Sequence, residues 1–381
     1  MKKIVIAIDS FKGSVTSDEA NRSCAEGARA LFPDCEIVQV PVADGGEGFA
    51  EAMARTRRIE DREITVHGPL GDMTRARYFF DQDSRTAIMD MAQASGLTLV
   101  SESCRNPLQA SSFGTGEMIL DALRLGAEKI IIGLGGSATN DGGIGMLSAL
   151  GTRFRDASGN LLPGIAADLA HIREIDLNGM SPYLKKTQFT VACDVQNPLL
   201  EKTGATFTFG PQKGADIGML QSLEQGMKNL VTQTAKVKPT TYENTPGAGA
   251  AGGIGFALMS YLNASLHSGI NIILEANNFD KIIQDASLVI TGEGSIDAQT
   301  NNGKTAYGIL KKVKLYNIPT IALCGQINDY ETVSNLGYTS IASIINKPMT
   351  LHQCMDSETT KNNIKHTTIQ LLNIIKQYII S

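Results

Sequence analysis

An α/β fold of two domains, one of them a doubly wound and mainly parallel sheet, is the class that this 381-residue sequence predicts. Three observations carry it. Strand-length apolar runs alternate with helix patterns at both ends of the chain, as in successive βαβ units. The middle changes to the period-two alternation of antiparallel ribbon. The length also exceeds the ~100–200 residues usual for one domain, and a hydrophobic content of 42% supplies ample core material.

The elements follow in order. "KKIVIAI" is a continuous apolar strand closed by Asp9, and its five-residue apolar run is too short for the ~7–15-residue core of an export signal. "TSDEANRSCAEGARALF" predicts a helix, with Thr16 and Ser17 as cap and acids in the first turn. "EIVQVPV" is a second strand. From about Arg62 the pattern alternates, through "REITVHGPLGDMTRARYFFD" and "RTAIMDMA", around a Gly-Pro-Leu-Gly-Asp turn. After "INIILEANNFDKIIQDA" the βα rhythm resumes with strand "SLVITGEG", helix "GKTAYGILKKVKLY", and strands "PTIALCG" and "YTSIASIIN". Pairing the late strands with the early ones gives a discontinuous Rossmann or flavodoxin-like domain, residues 1–61 and 285–381. Residues 62–284 then form an inserted mixed α/β domain. The final "KHTTIQLLNIIKQYII" has the spacing of a helix docked on the protein's own core.

Composition removes several classes of function. A net charge of −5, the absence of Trp and the lack of any long Lys/Arg run argue against a nucleic-acid partner. The least polar stretch, Gly247 to Leu262, falls short of the ~18 apolar residues of a membrane span, so no membrane partner is expected. Six cysteines without a CxxC pair suit buried free thiols in the reducing cytoplasm. The five histidines all lie outside the glycine motifs, which speaks against histidine catalysis and against zinc.

Chemistry concentrates in glycine-rich turns. "KIIIGLGGSATNDGGIGML", Lys129 to Leu147, fits three templates to different degrees. Gly133, Gly135 and Ala138 satisfy G-x-G-x-x-A after a strand, with Asp156 further on as the acid of a dinucleotide fingerprint, but Asp156 reads more simply as a hairpin turn. A full G-x-G-x-x-G at Gly247, Gly249 and Gly252 follows no buried strand. "AQTNNGKT" offers Gly303, Lys304 and Thr305 of a phosphate loop with Ala298 where the first glycine belongs. What recurs is glycine where strands run into helices, which aims backbone N–H groups and helix N-termini at an anion, and phosphate is the natural tenant.

Carboxylates repeat the message. Asp9, Asp44, Asp194 and Glu293 each end or follow an apolar strand, where open α/β sheets bind their ligands. Asp141, Asn140 and Asp297 lie in adjoining loops, and Lys12, Lys213 and Lys304 in loops of their own. Oxygen ligands for a hard cation beside cations for phosphate are the equipment of phosphoryl transfer.

"DSFKGS", "ADGGEGF", "GGSATNDGG", "ACDVQNPL", "FGPQKGA", "PGAGAAGGIG" and "TGEGSIDAQT" occur in the order found in the glycerate kinase family of bacterial type, and the chain resembles that family from residue 2 to its last helix. The resemblance implies transfer of the ATP γ-phosphate to D-glycerate, giving 2-phosphoglycerate, with Mg2+ required. It also implies two α/β domains with the active site in the cleft between them. Two positions depart from the family's usual pattern: Ile8 stands for Pro, and Ser295 for the arginine of "TGEGRIDAQ", which removes one cation that could bind carboxylate or phosphate.

Roles follow from what glycerate offers, a carboxylate and two hydroxyls. Lys12 is expected to neutralise a carboxylate or phosphate, and Asp194, held by the turn at Asn197-Pro198, to deprotonate the hydroxyl. Asp9, Ser10, Lys12, Asp44 and Asn197 form the expected substrate set. Gly135, Gly136, Ser137, Thr139, Asn140, Asp141 and Lys304 form the nucleotide set, and Glu293 with Asp297 faces Mg2+. The expected partners are D-glycerate and ATP, on a monomer or homodimer. Phosphorylation at the 3-hydroxyl or of a related hydroxy acid, a nicotinamide-dependent dehydrogenase and a non-catalytic sugar-acid sensor are the alternatives.

Overall fold

A computed structural model describes residues 1–46, 48–55, 59–240, 242–296 and 305–378. Its strands are β1 (Lys3–Ile8), β2 (Glu36–Gln39), β3 (Glu60–His67), β4 (Met73–Asp81), β5 (Thr86–Asp90), β6 (Lys129–Gly133), β7 (Arg153–Arg155), β8 (Glu174–Asp176), β9 (Gln188–Ala192), β10 (Ser265–His267), β11 (Leu288–Ile296), β12 (Thr320–Ile327) and β13 (Ser340–Ser343). The chain divides into two compact units, Met1–Asp44 with Ile270–Ser381, and Gly45–Gly269.

The first unit is built from both chain ends. Its sheet runs β13-β12-β11-β1-β2, and every pairing is parallel. Counted within the unit this is the order 2-1-3-4-5 of flavodoxin-like sheets, whose switch point lies between β1 and its neighbour β11. β1 is an interior strand between β11 and β2, and Ile4, Val5, Ile6, Ala7 and Ile8 are all fully buried. A strand covered on both faces needs no polar alternation, which is why it reads as one apolar run.

Helix Ser17–Leu31 opens with a capping box: Thr16 Oγ1 accepts from the Glu19 N–H at 3.3 Å, and Glu19 accepts from the Thr16 N–H at 2.9 Å. Such a cap is worth about 1 kcal/mol. Its Ala20, Cys24 and Ala28 share one apolar cluster with Ile4, Ile6 and Ile8 of β1 and with Ile364 and Leu372. Those last two belong to helix Ser357–Tyr378, so the C-terminal helix docks on its own sheet as its spacing predicts.

The second unit holds a six-stranded sheet, β10-β9-β6-β5-β4-β3. β3, β4 and β5 pair antiparallel, the ribbon foreseen from Arg62 onward, whereas β5, β6, β9 and β10 are parallel. Tyr78, Met89, Met118, Ile132, Phe154 and Phe256 are fully buried in its core.

The units change over at Asp44/Gly45 and Gly269/Ile270, whereas the change of sequence texture lies near Arg62 and residue 285. Helix Phe49–Ala54 explains the first difference. Its Phe49 is fully buried, and its Ala50 N–H donates to the Asp90 carboxylate at 3.1 Å, at the end of β5. At the other boundary Ile270 packs on Gly308 of helix Thr305–Lys314, within the first unit. An amphipathic helix does not record in its own sequence which of two sheets it covers.

Candidate active site

At the switch point of the parallel sheet β1 hands over to a short polar loop. The Asp9 N–H still donates to the Gly292 carbonyl of β11 at 2.9 Å, which places the Asp9 side chain at the strand's carboxyl end. It is buried, and its two oxygens accept from the Ser10 N–H and from the Thr305 hydroxyl. Burial, and then the charge of Asp44, push its pKa from the ordinary 3.8 up to about 6 against the pull of Thr305, Ser10 and Lys12.

Lys12 sits at the tip of a tight turn in which Phe11 and Val15 exchange backbone hydrogen bonds of 3.0 and 3.1 Å. Its side chain is 71% exposed and donates to Asp44 at 2.8 Å. Partial desolvation opposes its charge, but Asp44, Asp9 and Glu293 outweigh it and hold the ammonium above its ordinary pKa. Glu293, buried on β11, thus belongs to the same field. Asp9, Ser10, Lys12, Asp44 and Glu293 are brought together as the sequence suggested. Ser295 engages Asn328 at 3.2 Å. Asp297 and Lys304 lie outside the described residues.

The second unit carries the glycine loop after β6. Gly135 lies so close to Gly46 that a Cβ would collide with the Gly46 Cα, while Gly136 has φ +75° and only the Ala92 methyl nearby. Part of the loop's backbone is spent internally: Gly135 N–H donates to Gly45, Ala138 N–H to Ser95 and Gly142 N–H to Gly252. Among the described residues the N–H groups of Gly136, Ser137, Thr139, Asn140 and Asp141 have no such partner. They are the donors that the loop could offer an anion.

The loop's side chains divide by role. Asp141 is fully buried and accepts from the Ser112 hydroxyl at 2.7 Å and from the N–H groups of Ser112, Gly143 and Gly145 at 2.8, 3.0 and 3.2 Å. Burial raises its pKa, and those four donors offset that only in part. Its oxygens are thus committed to joining the loop to helices Phe113–Arg124 and Ile144–Ala149, a scaffolding position rather than one facing a nucleotide. Asn140 donates to Thr206 at 3.1 Å.

Lys213, from "FGPQKGA", is buried and donates to the Ser137 hydroxyl at 2.8 Å and to the Thr139 carbonyl at 2.6 Å. Burial pushes its pKa down to about 7, with Asp141 opposing. The Gly-Pro turn before it, Pro211–Lys213, aims it inward.

Asp194 leaves β9, but its carboxylate accepts from the N–H groups of Gly45 and Gly269, the first and last residues of this unit. Asn197 donates to the Thr203 carbonyl at 2.7 Å and shapes its own loop. The acid required by a dinucleotide fingerprint is also committed locally: Asp156 accepts from Ser158 and Asn160 N–H groups at 2.8 and 2.9 Å in an exposed turn. Sequence reasoning missed Thr305 and Ser112 as partners of the two key acids; the "GKT" string was the signal for the first, and nothing local marks the second.

No helix among the described residues is long and apolar enough to cross a membrane. The glycerate kinase family model matches residues 4–376. The chain is 46% identical over 344 residues, 90% of each sequence, to a glycerate kinase of Bacillus subtilis (strain 168). It is 44% identical over 352 residues, 92% of each, to a glycerate 2-kinase of Escherichia coli (strain K12). A crystal structure described as glycerate kinase 2 from Salmonella typhimurium LT2 matches with a TM-score of 0.86 at 40% identity, over 98% of both chains.

Proposed function

The chain belongs to the glycerate kinase family, and on that premise we propose that it transfers the γ-phosphoryl group of ATP to the 2-hydroxyl of D-glycerate. The observation that carries the reading is Asp9, buried at the switch point of a parallel sheet beside the Lys12–Asp44 pair. A general base works best with a pKa near the operating pH, and Asp9, at about 6, is ionised at neutral pH yet basic enough to take the hydroxyl proton. It replaces Asp194 as the proposed proton acceptor, because Asp194 holds Gly45 and Gly269. Lys12 neutralises charge on the glycerate carboxylate or the moving phosphoryl group. The N–H groups of Gly136, Ser137 and Thr139, with the Ser137 hydroxyl, bind phosphate oxygens.

Mg2+ is part of the proposal. It is held by one or two carboxylates plus substrate phosphates rather than by an all-protein cage. Glu293, whose charge acts on Lys12 along with those of Asp44 and Asp9, can supply one oxygen ligand and Asp297 a second. When bound, the ion would neutralise phosphate charge. The 2-position is supported by the likeness to the Escherichia coli glycerate 2-kinase, and a cytoplasmic setting by six free cysteines.

Incubation with ATP, Mg2+ and D-glycerate, followed by phosphorus NMR, tests all of this. The expected product is 2-phosphoglycerate, formed only with Mg2+. A 3-phosphoglycerate signal would move the acceptor, and no phosphoester would sink the reading.

A further inference from the structure

The glycine loop has a cation beneath it that none of the roles above uses. We propose that Lys213 is the positioning residue of this loop, locking Ser137 and Thr139 from the buried side so that the Ser137 hydroxyl hydrogen is left to donate to an anionic oxygen. The proposal deepens the phosphate-loop reading and rests on it.

The argument is one of donors and acceptors. An ammonium has three N–H donors and no acceptor. Lys213 gives one to the Ser137 oxygen and one to the Thr139 carbonyl, so Ser137 serves there as acceptor. Its own hydrogen must point elsewhere, and a hydroxyl that accepts from a cation is polarised toward donating. Ser137 is also the most exposed of the four side chains Ser137, Thr139, Asn140 and Asp141, at 7% against 0% for the others, so it is the one a ligand can reach. Beneath it, Thr139 Oγ1 and Asn140 Oδ1 are buried with no hydrogen-bond partner among the described residues, which marks a polar site made for more contacts than the protein itself supplies.

A buried ammonium without a bonded carboxylate is costly, and it becomes less so when an anion arrives. Among the described residues two charged groups bear on it. Asp141 lies within its field, and Arg105, on the adjoining segment, donates to the Gln212 carbonyl of the same turn at 3.3 Å. Burial pushes its pKa down to about 7, and a phosphate oxygen at Ser137 favours the ammonium form on which the donor count rests.

The experiment compares the full-length protein with Lys213→Met, Lys213→Arg and Gly136→Ala. Steady-state kinetics are combined with calorimetric titration of MgATP. Lys213→Met is expected to raise KM and Kd for ATP by about tenfold or more, with a smaller change in kcat. Lys213→Arg should recover part of the affinity. Thermal melting checks that each variant is folded, and the arginine variant keeps the test alive if the methionine variant is not.

Unchanged ATP affinity in folded Lys213→Met overturns the proposal. If Gly136→Ala weakens ATP while Lys213→Met does not, the phosphate loop stands and Lys213 falls. If neither affects ATP, the loop reading itself has failed.

Discussion

The two polar clusters look alike as strings, an apolar strand running into glycine, acid and hydroxyl, yet the structure treats them in opposite ways. In the parallel-sheet unit the charges stay usable: Lys12 is 71% exposed, and Asp9 is pushed up to about 6 rather than neutralised by a close cation. In the inserted unit Thr139, Asn140 and Asp141 are fully buried, and Asp141 is saturated by four donors from its own surroundings. The first arrangement keeps a reactive carboxylate at a cost in stability. The second uses a carboxylate to hold backbone still, so that N–H groups and one hydroxyl can do the binding. An acid after a strand can therefore be reagent or scaffold, and the partners decide which.

The sharpest way to break this contrast is Asp9→Asn. Removing a general base costs about 10²–10⁴-fold in rate, so kcat should fall by at least two orders of magnitude, and the acid limb of the pH–rate profile near pH 6 should disappear. The stability effect should run the other way. Because the folded-state pKa is raised, the folded protein keeps a proton between 3.8 and about 6 that the unfolded chain has lost. Stability therefore falls as pH rises through that window, and the full cost, up to about 3 kcal/mol, is present at pH 7.5. Asn removes that cost, so the variant should melt higher than the parent at pH 7.5 and show little difference at pH 3.5. A dead enzyme that also melts lower would make Asp9 a structural residue.

Lys12→Ala comes next. A positioned cation at developing charge is worth about 3–4 kcal/mol, which predicts a loss of roughly two orders of magnitude in kcat. Since most of the side chain is in solvent, exposed ion pairs of this kind contribute little, and the melting curve should hardly move. Near-normal kinetics would return Lys12 to the solvated surface.

The smallest kinetic effect is expected for Asp194→Asn. The amide can accept from one of Gly45 and Gly269 but not from both as a carboxylate does, so the expected loss is about 1–3 kcal/mol of stability with less than a tenfold change in kcat. Collapse of turnover with an unchanged melt would restore Asp194 as the base and demote Asp9, which is the outcome that most directly reverses the comparison.

Much of this was legible in the chain. The βα rhythm at both ends, the ribbon from Arg62, the Thr16 cap, the docking of the last helix and the placing of Asp9, Asp44 and Glu293 at strand ends rest on periodicity, capping and composition, and these are local effects. A capping box spans four residues, and an apolar strand declares its burial by composition alone.

The remainder was decided by tertiary structure, because it depends on groups remote in sequence. Asp9 meets Thr305, 296 residues away, and Asp141 meets Ser112, 29 residues away. Lys213 reaches Ser137 across 76 residues, and Asp194 spans 149 to Gly45. The strand order 2-1-3-4-5 likewise arises only when β11 pairs with β1. By itself the sequence determined which segments become strands and helices, where acids and glycines cluster, and the family to which they belong. Whether a given acid acts on a ligand or on its own backbone was left to folding, since a carboxylate's role is set by the donors that surround it, and no short stretch of chain contains them.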